Sequence, residues 1–123
     1  MGGVGAPGHG GTFAFYDPEI VWDQTRYAGG ELAALYSGHD GVRRFFREWL
    51  APFESYFAYA EDFIDAGDAV VVSVRQGGRG KLSGADVAMP PYMQVYRLRD
   101  GRAVRIEVYA NQDEALKAVG LTE

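Results

Sequence analysis

The chain has no cysteine. Disulfides, thiolate nucleophiles and thiolate metal sites are excluded together, and the absence fits a reducing cytoplasm, the expected location. Histidine is nearly as scarce. His9 and His39 stand alone and form no metal-ligand cluster, so neither a metal nor a cofactor is expected. Cations are outnumbered, 12 against 17 anions, for a net charge of −5, which argues against nucleic acid as a partner. No apolar run approaches the roughly 20 residues that span a bilayer, so no membrane partner is expected. The N-terminus lacks the basic segment and apolar stretch of a secretory signal. There is no G-x-S-x-G, and no serine sits near a plausible histidine base.

What is present suits one domain with a modest core: 123 residues, 14% aromatic, with eight Tyr and seven Phe. Residues 1–11 hold six glycines and one proline and read as a flexible leader, too poor in apolar surface to offset its ordering entropy. Gly3–Gly8 fits G-x-G-x-x-G, but no strand precedes it and no helix follows, so dinucleotide binding is rejected on context.

The stretch Met89–Asn111 organises the rest. Asp100-Gly101 between two apolar-rich runs is a strong hairpin signal, because a type I′ turn needs positive φ at both central residues. One parity carries Gln94, Tyr96 and Leu98, then Val104, Ile106 and Val108. The other carries Met93, Val95 and Arg97, then Arg105, Glu107 and Tyr109. The first set is expected to face inward, the second to meet solvent or another subunit. Pro90-Pro91 delays the strand to Tyr92.

Upstream, Asp17-Pro18 reads as a turn opener and Ile20-Val21-Trp22 as a strand. Glu31–Tyr36 is read as one helical turn. Asp40–Tyr56 reads as the main helix, with Val42, Phe45, Phe46, Trp49, Leu50 and Phe53 on one stripe and Pro52 kinking its end or restarting it as a short turn. Phe57–Asp65 and Asp68–Gln76 read as a second hairpin. Gly77–Gly84 reads as a bulged strand end or a loop, where Arg75, Arg79 and Lys81 either form an anion patch or are simply solvated. Asp113–Val119 reads as a short helix closed by Gly120. The fold class is therefore α+β: a mostly antiparallel sheet covered on one side by a long helix.

The segments Asp17-Pro18-Glu19-Ile20-Val21-Trp22, Gly38–Phe46 with Trp49, Ile64–Asp68, the Asp100-Gly101 hairpin and Asp113–Leu121 together resemble the SnoaL-like branch of the nuclear transport factor 2-like superfamily. The resemblance spans roughly residues 15–121. It implies a single SnoaL-like domain over 12–123. It also implies a curved sheet forming a cone-like half-barrel around an apolar pocket, and a homodimer through the sheet's outer face. The superfamily includes isomerases, dehydratases, cyclases, epoxide hydrolases and non-enzymatic binders, so fold does not fix function. Two departures stand out. The family's long N-terminal helix is missing, its place taken by the leader and Thr12–Tyr16. The His-x-Asp of the polyketide cyclases is replaced by Ile106 and Val108, which move no proton.

A small hydrophobic molecule is the expected partner. Tyr92, Gln94 and Tyr96 are candidate hydrogen-bonding groups, with Trp22, Ile106 and Val108 as walls; the competing reading makes the tyrosines core residues. Asp23 is the candidate catalytic base of a cofactor-free isomerase, dehydratase or hydrolase, its pKa raised beside Trp22. Against that stands a strand-end Asp bonding its own backbone. A non-catalytic binding or interaction module remains the alternative. Asn111 reads as a strand-end or cap residue, His39 as capping or packing the long helix, and Glu107 as a cross-strand ion pair with Arg105 and Arg97.

Overall fold

Asp100 and Gly101 have φ of 53° and 77°, the left-handed pair that a tight hairpin turn demands. The strands they join, β6 (Tyr92–Arg99) and β7 (Arg102–Tyr109), form the middle of the sheet. The structure, a computed structural model, describes residues 14–27 and 35–121. The Gly-rich leader, His9, residues 12 and 13 of the segment expected to lack the family's N-terminal helix, and most of the Glu31–Tyr36 turn lie outside them; Ala14 and Phe15, inside them, are helical. Leu35 and Tyr36, inside them, are extended rather than helical.

In chain order the other elements are β1 (Tyr16–Asp23), β2 (Leu35–Ser37), α1 (Gly38–Leu50), β3 (Phe53–Asp65), β4 (Ala69–Gly80), β5 (Asp86–Ala88) and α2 (Gln112–Ala118). The seven strands form one curved sheet in the order β2-β1-β7-β6-β4-β3, with β5 beside β4. All neighbours are antiparallel except β1 and β7, so the expected α+β class stands.

Three local expectations change. Asp17-Pro18 opens no turn; it lies within β1, where the register against β7 shifts between Tyr16 and Val21. The missing Pro18 N–H is tolerated at this irregularity. The long helix ends at Leu50, and Phe53 to Tyr56 are extended, pairing with the end of β4. Pro52 therefore terminates the helix rather than kinking it. The second hairpin is longer than its hydrophobic pattern suggested, because β4 runs on through Gly77 and Gly78 to Gly80.

The core lies on both faces of the sheet. On the inner face, Val42 and Phe45 of α1 meet Ile20, Trp22, Ile106 and Val108. On the outer face, Val71, Met93, Val95 and Tyr109 pack beneath Ala115 of α2. This corrects the expectation that the Met93–Tyr109 parity meets solvent or a second subunit. Val95 is fully buried and Tyr109 nearly so, because α2 folds back over the strands that precede it. Among the described residues no helix is long and apolar enough to cross a membrane.

Candidate functional site

Side chains paired directly across a ladder share a face. Gln94 lies opposite Val108 and Tyr96 opposite Ile106. Trp22 lies beside Ile106, and Tyr92 and Gln94 lie beside Val74 and Val72. Trp22, Tyr92, Gln94, Tyr96, Ile106 and Val108 therefore all belong to the inner face.

Their environments differ. Ile106 and Val108 are sealed in the core. The Trp22 ring stacks on Phe45 at 4.8 Å and 28°, and its Nε1–H donates to Gln24 Oε1 at 2.8 Å. Its indole is held by helix and strand together. Tyr92 and Tyr96 are only partly buried and touch both inner-face clusters, one under α1 and one built from Ala58, Val72 and Val74.

Two tyrosine–glutamine pairs sit on this face. The Tyr96 hydroxyl donates to Gln94 Oε1 at 3.1 Å. The Tyr56 hydroxyl donates to Gln76 Oε1, and Gln76 Nε2 donates to the Pro90 carbonyl at 2.9 Å. Burial pushes the Tyr96 hydroxyl up to about 12 and raises those of Tyr92 and Tyr56 as well. All three are hydrogen-bond donors at neutral pH. Tyr27 adds a further ring, edge-on to Tyr92 at 6.0 Å.

Sequence reasoning missed Tyr56 and Gln76. The signal was there: in Val70-x-Val72-x-Val74-x-Gln76, strand alternation carries the inner face on to Gln76. Extending the main helix to Tyr56 concealed its partner.

Asp23 corrects an expectation. It pairs with Glu107 across β1 and β7, so its side chain lies on the face opposite Trp22. Burial alone would raise its carboxyl. Hydrogen bonds from Thr25 Oγ1 (2.6 Å) and Thr25 N (2.8 Å), together with the Arg105 guanidinium, outweigh burial, and the pKa falls below the ordinary value. A carboxylate held in that state is a weak base.

Glu107 is more than a cross-strand ion pair. It accepts from Arg97 Nη2 at 3.2 Å, Arg105 Nε at 2.9 Å and the Tyr109 hydroxyl at 2.9 Å. Arg97 Nη2 also donates to the Ala118 carbonyl at 3.0 Å, so the network ties α2 to the sheet. Asn111 caps α2, its Oδ1 accepting from Glu114 N at 2.9 Å. His39 Nε2 lies 2.9 Å from the Tyr16 carbonyl, fixing the start of α1 against β1.

Among the described residues, no three His, Cys, Asp or Glu are grouped to hold a metal ion. A separate cavity of about 640 Å³ runs along β3, β4 and β5.

Several solved structures share this architecture. TerC co-crystallised with polyporic acid is 22% identical, with a TM-score of 0.68 over 87% of this chain and 82% of that one. A nuclear transport factor 2-like protein of unknown function from Burkholderia pseudomallei K96243 is 24% identical, with a TM-score of 0.65 over 89% and 83%. A protein with a ketosteroid isomerase-like fold from Catenulispora acidiphila DSM 44928, in complex with trimethylamine, is 18% identical, with a TM-score of 0.66 over 89% and 80%. At these identities the likeness is one of fold. No curated protein matches the chain. Residues 11–106 match the SnoaL-like domain. That match takes in the inner-face strands up to Ile106, and the chain belongs to the SnoaL-like domain family.

Proposed function

We propose that the inner face binds a small, largely apolar molecule gripped by tyrosine hydroxyls, above a core in which Trp22, Ile106 and Val108 are already sealed. Tyr92 and Tyr96 are the contacting groups, because they are the partly buried members of the expected set. Gln94 orients Tyr96 from behind. One observation carries this reading: a group of protonated tyrosines within an apolar face, the usual chemistry of a pocket that orients a small ligand. The molecules held by TerC and by the Catenulispora protein, polyporic acid and trimethylamine, show that this fold accommodates small ligands.

The same face favours binding over acid–base catalysis. Its paired strand positions carry no Asp, Glu or His apart from Asp65, whose Oδ1 accepts from Gly67 N in the adjoining turn. Asp23 lies behind the sheet with its charge already engaged by Arg105. We therefore place Asp23 in the scaffold.

Calorimetric titration with polyporic acid tests the binding reading. Saturable binding is expected, weakened about five- to tenfold in Tyr96→Phe or Tyr92→Phe, the effect of one lost hydrogen bond. Equal affinity in both variants and the parent, or no binding of polyporic acid or of trimethylamine, overturns it.

A further inference from the structure

Gly77 and Gly78 stand together inside β4, where glycine weakens a strand. Neither has positive φ, so the backbone does not require them. Space does. A Cβ on Gly77 would lie 2.6 Å from Cε2 of the Phe57 ring, and one on Gly78 would lie 2.5 Å from the Ser55 carbonyl oxygen. The bare strand lets Phe57 lie across Gly77. Phe57 in turn stacks on Tyr59 at 5.6 Å and 26°, and both rings stay well exposed, 46% and 40%.

The Phe57 ring opens onto the 640 Å³ cavity, which Ala88, Met89 and Pro91 also line. Arg75 and Arg79 lie two residues either side of Gly77 on the same strand parity. Arg75 spends its Nε on Glu61 at 2.7 Å, which leaves its two terminal nitrogens for another acceptor. Arg79 is more fully engaged: one terminal nitrogen donates to the Gly84 carbonyl at 2.7 Å and the other pairs at 3.2 Å with Asp86, an exposed partner that contributes little and is the one readily exchanged.

We propose that this bay is a second binding site, on the outer side of the sheet, for a planar aromatic anion. The ring would stack on Phe57 between the apolar walls, and the anionic group would meet Arg75 or Arg79, a guanidinium–carboxylate pairing that favours flat, bidentate geometry. The volume falls within the range of small-ligand pockets.

Two-dimensional NMR of the full chain titrated with 2-naphthoate, and separately with the neutral 2-naphthylmethanol, tests the proposal. Naphthoate should shift the Gly77, Gly78 and Val87 amides saturably. Arg75→Gln with Arg79→Gln should weaken binding about tenfold, and the alcohol should bind as weakly as naphthoate does to that double variant. Absence of shifts, or shifts confined to Trp22 and Tyr96 on the inner face, overturns the site. Equal affinity for the alcohol overturns its anion preference. A parent that sediments as a dimer, is blind to naphthoate and becomes monomeric in Phe57→Glu shows instead that a second copy fills the bay.

Discussion

Arg105 donates to Asp23 across the parallel β1–β7 pair, on the opposite side of the sheet from Trp22. The nearest neighbour of Trp22 in sequence is thus separated from it by the thickness of the strand. Asp23→Asn should leave inner-face ligand affinity unchanged while lowering stability by about 1–3 kcal/mol, the range for weakening a largely buried, charge-assisted hydrogen bond. The folded carboxyl titrates below its unfolded value, so its contribution is present above the unfolded pKa of about 4 and is lost as pH falls through the folded pKa. Melting curves of parent and variant should therefore converge in strong acid. A constant gap from neutrality down to strong acid contradicts the assignment.

Tyr96 is the sensitive position on the inner face. Tyr96→Asp places an unpaired charge among Val70, Ile106 and the α1 cluster and should cost several kcal/mol in chemical denaturation. A variant as stable as the parent reverses the strand parity. Because burial pushes the Tyr96 hydroxyl up to about 12, ligand affinity should be flat between pH 6 and 9 for a ligand that does not itself titrate there. A midpoint within that window points to a different group.

Phe45 supports Trp22. Its ring lies against Trp22, Tyr36, Phe46 and Trp49 and is nearly buried. Phe45→Ala should cost about 3–5 kcal/mol, with a change in Trp22 fluorescence. Loss of stability with unaltered tryptophan emission would show that the stack does not hold the indole.

Gly101 has a φ of 77° and no atom within 4 Å of a would-be Cβ, so any penalty there is conformational rather than steric. Gly101→Val should destabilise by about 1–2 kcal/mol. A smaller loss means that the turn can change type.

The sequence by itself determined the hairpin, its turn and the α1 stripe, because each is a local pattern: two residues that accept positive φ, and apolar spacing of three and four. It also placed Gln94, Tyr96, Ile106 and Val108 on one face, since alternation follows from strand geometry alone. It could not determine that β1 pairs in parallel with β7. That pairing set Asp23 beside Glu107 and Arg105, and turned a candidate base into an ion-pair partner. Nor could it determine that β4 continues through two glycines, because their reason for being there is the Phe57 ring of a neighbouring strand. Local periodicity fixes which way a side chain points. Only the partner strand fixes what it points at.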